Sequence, residues 1–416
     1  MSPSLFLSRL CYVALLAGPA CFASGPASDW PQWRGPNRDD ISPDTGLLAE
    51  WPAGGPPLAW KAHGIGHGYS TVSISGSRIF TMGDAPDSSF IHALDLQGKL
   101  LWSAKVGRPG GDHPGTRCTP TVDGDLVYAL GQFGDLVCVE AASGKERWRK
   151  NLNRDFGGEI MSGWGSAESL LVDGDKILCT PGGPDGTMLA LNKKTGEVIW
   201  RSKELKDSAA YASIIKADIA GVPQFIQLTG ASVAGLGIDD GRLLWRAPRP
   251  GRTAVVPTPI CHDDYVYVSS GYGVGCNLFK VTKADGKFSA EQVYANKAMV
   301  NHHGGVVLVG EHLYGNSDGR GWICQEFKTG NVAWEEKQKL PGKGSIAYAD
   351  GHLYLRNEGR GTVVLIEATP SGFHEMGRFE QPDRSGESAW AHPVIIGGKL
   401  YLRDQDVLLC YDVKKK

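Results

Sequence analysis

The sequence lacks a surplus of charge of either sign. Its 43 lysine and arginine residues are balanced by 45 aspartate and glutamate residues, for a formal net charge of -2 over 416 residues. Proteins that bind nucleic acid normally concentrate basic residues on one face, because phosphate contacts dominate their affinity. The composition therefore argues against nucleic acid as the main partner, and the tail Asp412 to Lys416 is too short to act as a basic arm.

The cysteines lack the spacings of metal and redox sites. They stand at positions 11, 21, 118, 138, 179, 261, 276, 324 and 410, with no adjacent pair and no Cys-x-x-Cys. A zinc site of the usual spacing and a Cys-x-x-Cys-His haem attachment are thereby excluded. We interpret Cys138, Cys324 and Cys410 as small packed residues, because each fits the same slot of a repeat described below.

No apolar run approaches the ~20 residues that span a bilayer. The run from Leu10 to Ala17 follows a single charge at Arg9 and precedes small residues through Ala23. This pattern is typical of a secretory signal over residues 1–23, so we expect a secreted mature protein in the periplasm or another extracytoplasmic space, without a transmembrane span. The alternative is a lipoprotein whose lipid anchor is carried by Cys21.

Glycine, in contrast, is abundant, and part of it is periodic. Among the 56 glycines, five that stand four residues before a tryptophan form a series, whose tryptophans follow one another at intervals of 46, 52, 45 and 89 residues. The last interval is about twice the unit, which indicates one copy that has lost its tryptophan. The five tryptophans are Trp102, Trp148, Trp200, Trp245 and Trp334. A period in the forties with several short strand-like runs predicts a radial β array.

Each copy divides into four short strands joined by tight turns, which predicts one antiparallel blade per copy. The first turn recurs eight times, at Gly76, Gly124, Gly174, Gly221, 262–264, Gly310, Gly351 and Gly397. We therefore expect an all-β, eight-bladed β-propeller over residues 57–416. The eighth copy ends after three strands, so the run from Pro57 to Trp60 is expected to complete it and close the ring. Residues 24–56 are expected to form a lead that packs on the ring.

The copy from Leu189 to Trp200 resembles the pyrrolo-quinoline-quinone (PQQ) type propeller repeat, which runs Tyr-Ala-Leu-Asp, two residues, Thr-Gly-Lys, two residues, Trp. The resemblance extends over about residues 57–413, and the lead from Asp29 to Pro36 is similar to the start of many exported bacterial members. It implies an eight-bladed ring whose blades dock through the Gly-to-Trp stretches. The superfamily includes both quinoprotein alcohol dehydrogenases and a non-catalytic scaffold lipoprotein of outer-membrane assembly, so it implies fold more than function.

Candidate functional residues are those that differ between copies. Small residues such as Thr71, Thr119 and Ser169 occupy the inner strands in register. Larger polar and aromatic residues precede those strands and are expected to converge on one mouth of the ring, joined by two arginines of the second-to-third turns. The residues are His67, Tyr69, Arg117, Trp164, Glu168, Tyr211, His303, Trp390 and His392, with Arg320 and Arg360 from the turns.

A metal held by these histidines and Glu168 stays open, although no close ligand spacing supports one. His302 and His303 are adjacent, so in an extended strand they would point to opposite sides and only one would face the channel. The favoured hypothesis is a non-catalytic binding or scaffold propeller that holds a small ligand or an envelope protein segment and requires no cofactor.

The alternative is a PQQ-dependent oxidoreductase of the alcohol or sugar dehydrogenase kind, with PQQ and calcium. The resemblance implies a clamp made of a stacking tryptophan, an adjacent-cysteine disulfide and a calcium site. Here the disulfide is excluded, although Trp164 or Trp390 can stack on a planar group and Arg117, Arg320 and Arg360 can pair with its carboxylates.

Overall fold

A computed structural model describes residues 29–415, and the signal segment, Cys21 and residue 416 lie outside the described residues. The first strand of the described residues is β1 (Leu58–Ala62). Blade 1 then contains β2 (Ser73–Ser75), β3 (Arg78–Asp84), β4 (Ser89–Asp95) and β5 (Leu100–Gly107). Blade 2 contains β6 (Thr121–Asp123), β7 (Leu126–Leu130), β8 (Asp135–Glu140) and β9 (Glu146–Asn151), followed by the short helix α1 (Leu152–Phe156).

The next three blades repeat the same order of strands. Blade 3 contains β10 (Leu171–Asp173), β11 (Lys176–Cys179), β12 (Leu189–Asn192) and β13 (Val198–Arg201). Blade 4 contains β14 (Ile215–Ile219), β15 (Val222–Leu228), β16 (Ser232–Gly237) and β17 (Leu243–Pro248). Blade 5 contains β18 (Ile260–His262), β19 (Tyr265–Ser270), β20 (Gly275–Ala284) and β21 (Lys287–Asn296).

Three further blades complete the ring. Blade 6 contains β22 (Val306–Val309), β23 (His312–Ser317), β24 (Gly321–Glu326) and β25 (Val332–Glu336). Blade 7 contains β26 (Gly344–Ala349), β27 (His352–Asn357), β28 (Thr362–Glu367) and β29 (Glu375–Glu380). Blade 8 contains β30 (Val394–Ile396), β31 (Lys399–Asp404) and β32 (Val407–Asp412), and its fourth strand is β1. The eight-bladed all-β prediction is confirmed.

Ring closure takes place where β1 pairs antiparallel with β32. Trp60 lies opposite Cys410 and Ala62 opposite Leu408, so the N-terminal strand covers the edge that the last C-terminal strand would otherwise expose. Trp60 also takes the place of the repeated tryptophan in this blade. Its Nε1 donates to the carbonyl oxygen of Leu96 at 2.9 Å. The predicted closure is therefore confirmed.

The Gly-x-x-x-Trp spacing reflects contacts between neighbouring blades. Trp102 of blade 1 lies against Gly144 of blade 2, and a Cβ atom on that glycine would come within 2.5 Å of the indole. Gly144 also has a φ of +71°, a conformation that L side chains rarely adopt. The same contact joins Trp148 to Gly196 in the next pair of blades. In blades 1 to 4, this glycine thus leaves room for the tryptophan of the blade before it.

The inner strands are joined by hydroxyl groups. The backbone N–H of Thr71 donates to Oγ1 of Thr119 at 3.2 Å, and the N–H of Thr119 donates to Oγ of Ser169 at 2.9 Å. The N–H of Ser169 in turn donates to Oγ of Ser213 at 3.0 Å. Small hydroxyl residues in register therefore link blades 1 to 4 around the channel.

Residues 29–42 cross the ring on its inner side, and we call this segment the N-terminal plug. Trp30 forms a bridge with Ile74 of blade 1, and Ile41 forms one with Tyr348 of blade 7. Arg38 donates to the backbone oxygens of Ser169 and Leu170 in blade 3. Because one short segment bonds to blades on several sides of the ring, it holds the inner strands together.

The interior of the ring is apolar and packed between blades. Cys138, Cys324 and Cys410 are fully buried in these layers, as their interpretation as packing residues predicts. Burial raises the pKa of the Cys138 thiol to about 12, so the thiol stays neutral. Within residues 29–415, no helix has both the length and the apolar character needed to cross a membrane.

Candidate functional site

A cavity of about 250 Å³ opens at one mouth of the ring, and we call it the mouth cavity. Every blade contributes at least one residue from the segment before its first strand, and the N-terminal plug and the β19–β20 turn add one residue each. The lining residues are Trp33, Tyr69, His113, Arg117, Trp164, Ala167, Ser169, Tyr211, Ser213, Val256, Tyr272, His302, His303, Lys343 and Trp390. The site is therefore built by the whole ring.

Aromatic rings form the walls of the mouth cavity. Tyr69 and Trp390 are stacked with their ring centroids 4.1 Å apart, and Trp164 and Tyr211 are stacked at 5.5 Å. His113 meets both tryptophans edge-on, at 5.7 Å from Trp164 and 5.6 Å from Trp390. The two stacked pairs thus lie on either side of one histidine, in the offset and edge-on geometries that aromatic rings prefer.

Arg117 is held rigidly between these walls. One terminal nitrogen donates to Oε1 of Gln132 at 3.0 Å and to the backbone oxygen of Trp164 at 2.7 Å, and the other donates to the backbone oxygen of His113 at 2.8 Å. Burial lowers the pKa of its guanidinium from the ordinary value, but arginine stays charged at neutral pH. Arg117 therefore places a fixed positive charge at the cavity.

Two histidines and a lysine form the opposite side. The Nζ of Lys343 lies 2.9 Å from Nδ1 of His302, and the same histidine nitrogen lies 3.2 Å from Asp318. His303 Nε2 lies 3.1 Å from Glu358, whose carboxylate also accepts the indole N–H of Trp390 at 2.7 Å. Burial lowers the pKa of His303 despite this carboxylate, which favours the neutral ring.

The base of the cavity is formed by the N-terminal plug. The indole Nε1 of Trp33 donates to Oγ1 of Thr258 at 3.0 Å, and its ring lies 4.5 Å from that of His392. His392 Nδ1 lies 2.8 Å from a carboxylate oxygen of Asp40, and this oxygen also lies 3.0 Å from Nε of Arg34. All three side chains of this group are buried. The base of the cavity is thus supported by buried charged side chains.

The structure brings six of the eleven sequence-predicted site residues together at the mouth cavity: Tyr69, Arg117, Trp164, Tyr211, His303 and Trp390. It places the other five, Glu168, His392, His67, Arg320 and Arg360, outside the residues that line this cavity.

Two of these five are buried in the ring. Both carboxylate oxygens of Glu168 accept hydrogen bonds from Thr180, one from the backbone N–H and one from the hydroxyl, each at 2.8 Å. Burial raises the pKa of Glu168 to about 7, and these bonds only partly offset it. His392 lies beneath Trp33 and is bound to Asp40. Both side chains therefore support the structure around the site.

The other three have local partners or face solvent. The backbone of His67 bridges to Asp84, and its side chain is exposed. Arg320 forms an exposed ion pair with Glu335 of the neighbouring strand. The backbone N–H of Arg360 donates to Oδ1 of Asn357 at 2.7 Å, within the β27–β28 turn. Both arginines thus lie in the turns where the sequence places them, and neither of them lines the mouth cavity.

The expectation that only one of His302 and His303 faces the channel is wrong. Both line the mouth cavity, because residues 303 and 304 form a bend before β22 and the alternation of an extended strand does not apply. The sequence reasoning also missed Trp33, His113, Tyr272 and Lys343. Lys343 stands just before the first strand of blade 7. Trp390 stands before the first strand of blade 8, so the same alignment of copies could have identified Lys343.

The described residues contain no cluster of three or more histidine, cysteine, aspartate or glutamate side chains suited to a metal ion. Hydroxyl, indole and imidazole groups dominate the lining instead, with carboxylates only in the layer around it. The arrangement can stack on a flat ring and bond to the polar edges of that ring.

Comparison with known proteins shows which family the chain resembles. The family model described as "Outer membrane protein assembly factor BamB" matches residues 87–336. The BamB protein of Shewanella oneidensis is 24% identical over 252 residues, which cover 58% of this chain and 61% of that protein. The quinohemoprotein alcohol dehydrogenase ADH IIB of Pseudomonas putida is 24% identical over 325 residues, which cover 67% of this chain and 43% of the enzyme.

A solved structure shows the same fold. The quinohemoprotein alcohol dehydrogenase of Comamonas testosteroni superposes with a TM-score of 0.67 at 13% identity, over 94% of this chain and 81% of the enzyme. The chain spans less than two thirds of the length of the curated relatives named above. The family match covers more than half of the 416 residues, and the protein therefore belongs to the PQQ-type β-propeller family whose model is described as outer membrane protein assembly factor BamB.

Proposed function

We propose that the protein is an exported, non-catalytic binding propeller whose mouth cavity holds a small ligand or a segment of an envelope protein. The observation that carries this proposal is the cavity itself, to which all eight blades contribute and whose walls are two stacked aromatic pairs. A concave, largely aromatic site with a few convergent polar groups is the usual form of a binding site.

Several polar groups near the cavity take part in structural contacts, which supports a non-catalytic role. The hydroxyls of Ser169 and Ser213 accept backbone N–H groups from the neighbouring blades. The carboxylates of Asp318 and Glu358 lie beside His302 and His303. A general base needs a substrate proton within hydrogen-bond reach, and here the nearest carboxylates already have partners.

The relatives favour an envelope setting. The family and the Shewanella oneidensis protein are both named for outer membrane protein assembly. Together with the predicted secretory signal of residues 1–23, this supports a periplasmic protein that acts on envelope partners. On this proposal the residues at the mouth are the contact surface and the ring is the scaffold that presents them.

One observation favours the alternative, a PQQ-dependent oxidoreductase. A planar anion can stack on Trp164 or Trp390 and face the charges of Arg117 and Lys343. A calcium ion fits the site less well. The described residues contain no cluster of side chains suited to a metal ion, and Glu358 and Asp318 already contact histidines.

Thermal unfolding in the presence of envelope extract tests the proposal. Extract is separated by ultrafiltration into a small-molecule and a protein fraction, and we expect one of them to raise the unfolding temperature of the wild type. A ligand at 100 times its Kd adds about 2.7 kcal/mol to the stability of the folded state. A Trp164→Ala/Trp390→Ala variant is expected to lose this gain, because both walls of the cavity are removed.

Arg320→Gln is the matched control, since Arg320 lies in an exposed ion pair away from the cavity, and it is expected to behave as the wild type. In parallel, the protein is mixed with PQQ and calcium and assayed for dye-linked oxidation of alcohols and sugars. Turnover would overturn the non-catalytic proposal. Equal stabilisation of the double variant, or no stabilisation by either fraction, would remove the mouth cavity as the binding site.

A further inference from the structure

The lining of the mouth cavity is asymmetric in charge. It includes the cations Arg117 and Lys343, and no aspartate or glutamate is among the described residues that line it. The two nearest carboxylates, Asp318 and Glu358, contact His302 and His303. A ligand in the cavity therefore meets positive side chains directly, which favours an anionic group on the ligand.

Lys343 is the better placed of the two cations. The terminal nitrogens of Arg117 already donate to three acceptors of the protein. The ammonium of Lys343 has three N–H donors, and its contacts within the protein are one histidine nitrogen at 2.9 Å and a carboxylate oxygen of Asp318 at 3.7 Å. Lys343 thus keeps N–H groups that can donate to a ligand, whereas Arg117 supplies a positive charge at a fixed position.

The size and shape of the cavity favour one or two rings. Its volume of about 250 Å³ lies below the ~300–1,000 Å³ of pockets that hold drug-sized ligands. Trp164 and Trp390 each belong to a stacked pair and are joined by the edge-on ring of His113. A ring that enters the cavity beside His113 can lie against the indole face of either tryptophan, and these electron-rich faces attract weakly positive C–H groups.

The edges of the cavity are polar, and this selects among ring compounds. Ser169 and Ser213 accept backbone N–H groups, but each hydroxyl still has its own O–H to donate. His302 and the exposed phenol of Tyr272 add further polar atoms near the opening. Hydroxyl groups around the ligand satisfy these partners, whereas a bare aromatic ring leaves them without bonds at a cost in affinity.

We propose that the mouth cavity binds a sugar acid, a pyranose ring that carries a carboxylate, with the ring against the aromatic walls beside His113 and the carboxylate at Lys343. This inference rests on the proposed function and names its ligand class. Such a ligand offers C–H faces to the aromatic walls of the cavity, hydroxyl groups to its polar edges and one negative charge to its cations.

Isothermal titration of the full-length mature protein tests the proposal with four probes: D-glucuronate, D-glucose, benzoate and PQQ. We expect glucuronate to bind at least about tenfold more tightly than glucose, because a hydrogen bond to a charged group contributes at least 1.5 kcal/mol. Lys343→Met is expected to remove this preference, so that glucuronate and glucose bind equally to the variant. Trp164→Ala is expected to weaken both sugars, and Arg320→Gln serves as the unaltered control.

Circular dichroism shows whether each variant is folded, and Tyr272→Ala, an exposed wall residue, replaces Trp164→Ala if that variant is not. Equal binding of glucuronate and glucose, or a preference that survives in Lys343→Met, would overturn the sugar-acid proposal. Tighter binding of benzoate or PQQ would also overturn it, but would leave a ligand-binding cavity. If no probe binds and no extract fraction stabilises the protein, both the ligand class and the binding site fail.

Discussion

Replacing Asp40 by alanine is expected to lower the free energy of unfolding by about 3 to 5 kcal/mol, the cost of breaking a buried ion pair. The Asp40 carboxylate lies 3.0 Å from the guanidinium of Arg34 and 2.8 Å from the ring of His392, and the side chains of all three are at most 2% exposed. Removing Asp40 leaves the charge of Arg34 buried without its counterion. Urea unfolding followed by tryptophan fluorescence measures the loss.

Asp39 provides the matched control. It is the neighbouring residue of the N-terminal plug, it is partly exposed, and its carboxylate accepts the backbone N–H of Ile41 at 3.0 Å. Asp39→Ala is expected to cost only about 1 kcal/mol, the usual contribution of one such hydrogen bond. Equal losses in the two variants would show that the ion pair under Trp33 does not stabilise the ring.

Ala62→Asp in β1 is expected to prevent ring closure and to lower the free energy of unfolding by at least about 3 kcal/mol. Ala62 is 7% exposed and lies opposite Leu408 in an apolar cluster that also contains Cys410. An aspartate at this position places a carboxylate among apolar side chains and separates β1 from β32. Thermal unfolding and size-exclusion chromatography are expected to show lower stability and association through the freed strand edge.

Leu58→Asp tests whether the effect depends on burial. Leu58 belongs to the same strand but is 43% exposed, so the same substitution there is expected to change the stability by no more than about 0.5 kcal/mol. If Leu58→Asp is as harmful as Ala62→Asp, the loss arises from the added charge on the strand, and closure of the ring by β1 does not explain it.

The fold could be predicted because each blade is local in sequence. Its strands are joined by tight turns, so the first turn, which contains a glycine in seven of the eight copies, repeats with every blade and gives the number of blades. The closing strand can be predicted because the eighth copy contains only three strands and the strand-like run from Pro57 to Trp60 belongs to no other copy. The tryptophan spacing adds the contact with the next blade, as Trp102 and Gly144 show.

The candidate site could be predicted only in part, because the alignment of copies gives a position along the chain and not the direction of a side chain. Ala167 and Ser169 line the mouth cavity, whereas Glu168 between them points into the blade, as alternation in an extended segment requires. Trp33 was missed for another reason. It reaches Thr258 across 225 residues, and no repeat reports such a contact.

Hydroxyl-radical footprinting, with and without the stabilising envelope fraction, is the most direct test of the mouth cavity as the binding site. Trp164, Trp390 and the exposed Tyr272 are expected to be oxidised much less when the ligand is bound, because it covers their faces. Trp60 and Trp102, which lie on the outer strands, are expected to be oxidised equally in both states. Protection confined to the outer strands, with Trp164 and Trp390 oxidised as before, would contradict a binding site at the mouth.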